Sequence, residues 1–84
     1  MSIKFSQAID FIRKAQKLDE QQLYREAIIL YESGVRHLID ALEYEIKGET
    51  AREAIAEKCQ QFSDRVQELR ESESGGGRIA RTVV

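Results

Sequence analysis

Between Tyr24 and Glu45 the sequence YREAIILYESGVRHLIDALEYE repeats large apolar residues at Tyr24, Ile28, Tyr31, Val35, Leu38 and Leu42, in alternating steps of four and three. Such a heptad seam belongs to a helix that buries one side against neighbours. Beside it runs a stripe of small residues spaced by seven: Ala27, Gly34 and Ala41. Glycine in a helix interior costs about 1 kcal/mol relative to alanine. Its place between two alanines calls for an element that packs closely against the stripe. The expectation is a helix lying between two partners.

The partners are legible on either side. From Phe5 to Leu18, apolar residues at Phe5, Ala8, Ile9, Ile12 and Ala15 share one helical face, and Ser2 suits the N-cap. Continuing the second seam backwards by sevens meets Gln21, Lys17, Lys14, Asp10 and Gln7, all polar. One straight helix cannot bury both faces on the same side, so a turn is expected near Gln21 to Leu23. Gly48 suits the left-handed residue that ends a helix. Thr50-Ala51-Arg52-Glu53 fits a capping box opening a third helix, with Ile55, Cys59, Phe62, Val66 and Leu69 on its seam. Proline is absent, so long helices are permitted up to Ser72. Helices of about 17, 23 and 22 residues, roughly 25 to 35 Å long, joined by short connections, form an antiparallel bundle. The expected fold is therefore all-α, a three-helix bundle over residues 1–72. Residues 73–84, with three consecutive glycines at 75–77, read as a flexible tail.

Composition narrows the function. Thirteen basic and fifteen acidic residues leave a net charge of −2, against the basic excess of a nucleic-acid binder. One cysteine, Cys59, excludes an internal disulfide and fits a reducing compartment. No stretch approaches the roughly 20 apolar residues of a membrane span. The N-terminal stretch meets Asp10 too early for a signal peptide. These features give the expectation of a cytoplasmic, soluble helical domain.

Catalytic and metal chemistry need convergent groups. His37 and Cys59 are each the only residue of their type. A Cys-His pair would require two helices to bring them together. Cys59 instead lies on the third apolar seam, where it acts as a small hydrophobe, and His37 borders the second seam as a half-exposed group. No ligand cluster suits a metal, and ESESGGGRIAR follows a helix and lacks a phosphate-loop pattern. No enzymatic activity, cofactor or metal is expected of this chain. Thr82-Val83-Val84 matches the short carboxyl-terminal pattern that PDZ domains take up as an added strand.

Several stretches together resemble the MIT domain, the microtubule-interacting and trafficking module. These are Ala8-Ile9-Asp10 with Ala15 five residues on, the Y-x-E-A-I-x-L-Y of residues 24–31, the A-L-x-Y-E of residues 41–45, and the K-C-x-x-F-x-D-R-x-x-x-L of residues 58–69. The resemblance covers about Ser6 to Glu71 and is most like the N-terminal domain of the AAA ATPases that disassemble ESCRT-III polymers. It implies a three-helix bundle that binds C-terminal peptides of ESCRT-III subunits. Helical motifs of that class dock between helices two and three, and extended motifs between helices one and three. It implies recruitment of a parent protein, an AAA ATPase with its catalytic part downstream, to endosomal membranes. Contact with the membrane would be indirect, and the isolated domain monomeric.

The residues expected to border the groove between helices two and three are Leu30, His37, Ala41 and Tyr44 on one side, and Ala56, Gln60, Ser63 and Gln67 on the other. Phe11, Ile12, Ala15 and Leu18 are expected at the groove between helices one and three. Two positions depart from the resemblance. Ser63 stands where the family commonly has a leucine that contacts helical motifs, and Gln67 where it often has a glutamate that pairs with a basic ligand residue. Loss of a leucine contact removes on the order of 2 kcal/mol of apolar burial. Either affinity for helical motifs is then low, the ligand differs, or the other groove dominates; the extra apolar surface of Phe11 and Leu18 beside Ile12 and Ala15 favours an extended ligand between helices one and three. The competing reading is a structural module that self-associates through its heptad seams. A tetratricopeptide-like repeat is excluded because a lone repeat cannot bury its own face.

Overall fold

The computed structural model describes residues 3–73 and contains three α-helices: α1 (Ile3–Glu20), α2 (Tyr24–Tyr44) and α3 (Glu49–Glu73). Together they make the antiparallel three-helix bundle that the two apolar faces and the two breaks require. None of the helices is long and apolar enough to cross a membrane. The expected Ser2 cap, the glycine run and the Thr82-Val83-Val84 terminus lie outside the described residues.

α2 is the central element. It packs against both α1 and α3, whereas no Cα of α1 comes within 8 Å of a Cα of α3 among the described residues. The small-residue stripe of α2 faces α1, with Ala27, Gly34 and Ala41 all buried. A Cβ on Gly34 would lie 2.5 Å from Cδ1 and 2.8 Å from Cγ1 of Ile12, and 3.3 Å from the Ala8 carbonyl oxygen. The glycine thus allows the two helix backbones to approach. The core is completed by Ile12, Ala15, Ile28, Tyr31, Val66 and Leu69, with Phe62, Leu18, Tyr24 and Leu30 packed against it. Ile28, Tyr31 and Leu38 of the α2 seam are buried within the chain. The seam that a self-associating coiled coil would need is therefore already used.

The α1–α2 turn is a Schellman motif. The Leu23 N–H donates to the Leu18 carbonyl (2.9 Å) and the Gln22 N–H to the Asp19 carbonyl (2.9 Å), with Gln22 left-handed at φ +64°. This falls where the change of apolar face places it. The second connection differs from expectation. α2 ends at Tyr44, and Gly48, although left-handed at φ +93°, lies directly before α3 rather than closing α2. Its carbonyl accepts the Arg52 N–H at 3.1 Å, so α3 begins at Glu49 and Thr50 is already inside its first turn. The expected capping box gives way to a different device. The Arg52 guanidinium reaches back to the carbonyls of Leu42 and Ile46, satisfying acceptors that the end of α2 leaves open.

The first turn of α1 is capped by a residue remote in sequence. The Glu45 carboxylate, just past α2, accepts from the backbone N–H groups of Lys4 (2.9 Å) and Phe5 (3.2 Å). A carboxylate at a helix N-terminus is favourable for both hydrogen bonding and the helix dipole. It also ties the beginning of α1 to the end of α2.

Candidate interaction grooves

Because the backbones of α1 and α3 stay more than 8 Å apart among the described residues, a furrow opens between them. Its α1 wall is Phe5, Ile9, Ile12, Arg13 and Gln16, and its α3 wall Ala54, Ile55, Lys58 and Phe62, with Leu38 of α2 as the floor. The hollow is about 330 Å³, at the small end of the roughly 300–1,000 Å³ typical of ligand pockets. Its walls are apolar apart from Gln16 and the two cations.

One end of the furrow is tied by a polar knot. Asp19, at the end of α1, receives hydrogen bonds from Arg65 Nη2 (2.7 Å) and Nε (2.8 Å) of α3 and from the Tyr31 hydroxyl of α2 (2.9 Å). The Arg65 hydrogen bonds hold the Asp19 carboxyl below the ordinary carboxylate range, against the opposing effect of burial. Burial, with the hydrogen bond to Asp19 next, pushes the Tyr31 hydroxyl up to about 12. The Tyr31 ring stacks on Phe62, with centroids 5.9 Å apart. Three helices thus share one charge-assisted contact beside the furrow.

A second hollow, of about 460 Å³, lies between α2 and α3. Glu32, Val35, Arg36 and Ile39 line it from α2, and Ser63, Val66, Gln67 and Arg70 from α3. It is more open and more polar than the first. Ion pairs span the same two helices: Arg70 with Glu32, and Arg25 with Glu73 at 3.5 Å.

The expected groove residues divide accordingly. Ser63 and Gln67 line the α2/α3 hollow. Gln60 and Ala56 are exposed one and two turns before Ser63 on the same stripe of α3, and Gln60 donates to Asp64 at 2.9 Å. Leu30, His37, Ala41 and Tyr44 do not face α3. Ala41 is fully buried in the stripe that meets α1, and the His37 ring packs on Phe11 of α1 with centroids 5.0 Å apart. Leu30 packs against the core, and Tyr44, on the same stripe as His37, is 74% exposed. The residues of α2 that face α3 are Ile28, Glu32, Val35 and Ile39, on the opposite side of the seam. At the other groove, Ile12 lines the furrow as expected. Ala15 is fully buried, Leu18 packs against the core, and Phe11 lies on the His37 side of α1.

The furrow residues that sequence reasoning missed are Phe5, Ile9, Arg13 and Gln16 on α1, Leu38 on α2, and Ala54, Ile55, Lys58 and Phe62 on α3. A signal for some of them was present. Phe5 and Ile9 of the first apolar face and Ile55 of the third extend beyond what a small core can cover.

The remaining reactive groups are committed elsewhere. His37 Nδ1 lies 2.8 Å from the Ser33 carbonyl and donates to it. Burial pushes the Cys59 thiol up, as suits a half-buried hydrophobe on the α3 seam. Among the described residues no group of His, Cys, Asp or Glu side chains is arranged to hold a metal ion.

No curated protein matches the sequence significantly. A family model does: the MIT (microtubule interacting and transport) domain, over residues 5–71. The match begins at Phe5, the first furrow residue, and spans all three helices. With a three-helix bundle whose grooves flank α3, the chain belongs to the MIT domain family, whose members are protein–protein interaction modules.

Proposed function

We propose that this domain binds C-terminal peptides of ESCRT-III subunits and thereby recruits its parent protein to ESCRT-III polymers. That parent would be an AAA ATPase with its catalytic domain downstream. The setting would be cytoplasmic, peripheral to endosomal or other remodelling membranes, with no reaction carried out by this chain and no nucleic acid engaged. The docking site is the α1/α3 furrow, and the ligand an extended peptide.

The observation that carries this reading is the contrast between the two grooves. The α1/α3 furrow presents Phe5, Ile9, Ile12, Ile55 and Phe62 along an apolar trough. An extended chain can seat alternate side chains there. The α2/α3 hollow offers a serine at its centre and an arginine already paired with Glu32. A helical ligand there would gain little apolar burial at Ser63.

NMR titration of the 84-residue chain with synthetic ESCRT-III C-terminal peptides of the helical and extended classes tests the reading. Shifts are expected at Ile9, Ile12, Ile55 and Phe62 with the extended class, and Ile9→Asp is expected to abolish them. Shifts confined to Ile39, Ser63 and Gln67 would overturn the choice of groove. Absence of binding by both classes would overturn the ESCRT-III assignment. Gel filtration is expected to show a monomer.

A further inference from the structure

Two cations stand at the rim of the apolar furrow without partners of their own among the described residues. Arg13 comes from α1 and Lys58 from α3, so they flank the trough from opposite walls. Both residues are exposed, and among the described residues neither takes part in an ion pair or side-chain hydrogen bond. No carboxylate shares the lining of the furrow. Other arginines of the fold are answered from within: Arg25 by Glu73, Arg65 by Asp19 and Glu68, and Arg52 by carbonyls at the end of α2. The contrast is pointed because the chain as a whole carries more acidic than basic residues.

Resting on the reading that an extended peptide lies in this furrow, we infer that Arg13 and Lys58 select peptides carrying a carboxylate side chain beside their apolar residues. In an extended chain successive side chains point to opposite faces. Apolar residues at alternate positions can therefore turn down onto Ile9, Ile12 and Ile55, while an intervening aspartate or glutamate turns outward to the rim. The fields of two like charges add there. Apolar walls reduce solvent screening between them and an incoming anion. The pair thus draws acidic segments in and turns basic ones away, contributing more to choice of partner and speed of encounter than to total affinity. In the α2/α3 hollow, by contrast, the charges are mixed: Glu32 pairs with Arg70 beside Arg36.

The test uses synthetic peptides of the extended class from ESCRT-III C-termini, each with a glutamate flanking its apolar residues and in glutamine and lysine versions. Binding to the full 84-residue chain is measured by fluorescence anisotropy at low and high salt. The glutamate form is expected to bind roughly three- to tenfold tighter than the glutamine form, the scale of two exposed charge pairs, with the gap closing in high salt. In the R13E/K58E double variant the order is expected to invert, with the lysine form binding best. Circular dichroism and the thermal midpoint of that variant should be unchanged, since both side chains are exposed. Equal binding of the three peptides to the wild-type chain, or an unaltered order in R13E/K58E, overturns the proposal. Ile9→Asp separates the two levels of inference. If it abolishes binding while charge preference is absent, only the charge rule fails. If Ile9→Asp binds like the wild type, the furrow is not the site and both fail. A concentration-dependent mass in sedimentation that Ile9→Asp removes would assign the face to a second copy of the chain and likewise overturn the proposal.

Discussion

Replacing Asp19 by alanine tests the contact that unites the three helices. The Asp19 side chain is 12% exposed and Arg65 41% exposed. Hydrogen bonds to charged groups contribute about 1.5–3 kcal/mol when well shielded. Discounted for the exposure of Arg65, its paired bonds contribute about 1–2 kcal/mol. The Tyr31 hydroxyl, on a residue only 3% exposed, then loses the acceptor it holds at 2.9 Å, at a further cost of about 1 kcal/mol. A total loss of about 2–3 kcal/mol is expected, corresponding to a thermal midpoint lower by about 10–20 °C in a domain of this size. The assay is urea denaturation followed by circular dichroism, in a double-mutant cycle with Tyr31→Phe. Removing the hydroxyl first should make Asp19→Ala milder by about 1 kcal/mol. The pH dependence has a definite sign. Arg65 holds the folded Asp19 carboxyl below its ordinary value, so the unfolded chain takes up the proton more readily. The contribution is full above the unfolded value of about 4 and is lost as pH falls through the lower folded value. The stability gap between wild type and Asp19→Ala should therefore be constant near neutrality and shrink in acid. A loss below 1 kcal/mol, no coupling to Tyr31, or a gap that widens on acidification would refute the reasoning.

Further outcomes are expected elsewhere in the bundle. Gln22→Gly should stabilise the chain by about 0.5–1 kcal/mol, because the residue holds a left-handed φ of +64° that glycine adopts freely; denaturant midpoints would show it. Gly34→Ala should destabilise by about 1 kcal/mol despite alanine's higher helix propensity, since the new methyl meets Ile12 and the Ala8 carbonyl. A stabilised variant would disprove the close approach of α1 and α2. Glu45→Ala should cost about 1 kcal/mol by uncapping α1, with faster amide exchange confined to its first turn. Cys59 should be alkylated by iodoacetamide at pH 8 more slowly than an unstructured cysteine, because burial pushes its thiol up; equal rates would contradict the half-buried placement.

The fold was largely legible because each helix announced itself by spacing. The heptad seam of α2, the change of apolar face before Tyr24 and the Gly34 stripe all correspond to the observed packing. The grooves were less so. Periodicity shows that α2 carries a second stripe beside its seam, but it does not say which helix takes which side. Leu30, His37 and Tyr44 were placed toward α3, whereas that side of the helix turns toward α1 and Phe11. The same ambiguity put Phe11 and Leu18, rather than Phe5 and Ile9, at the furrow. A local spacing is the same for either placement of the neighbours around α2, and only long-range contacts distinguish the two.

The sequence by itself determined three amphipathic helices, the turn near Gln22, the close-packing role of Gly34 and membership of a family of interaction modules. Tertiary structure alone decided that the backbones of α1 and α3 stay apart, that Asp19 of α1 nonetheless meets Arg65 of α3 across 46 positions, and that Arg13 and Lys58 line one furrow from opposite walls. The physical reason is the range of the forces that each records. Helix periodicity and turn preferences act over a few residues and are written locally. The arrangement of helices around α2 is set by side chains far apart in sequence that compete for one small core, and no single stretch of the chain contains that outcome.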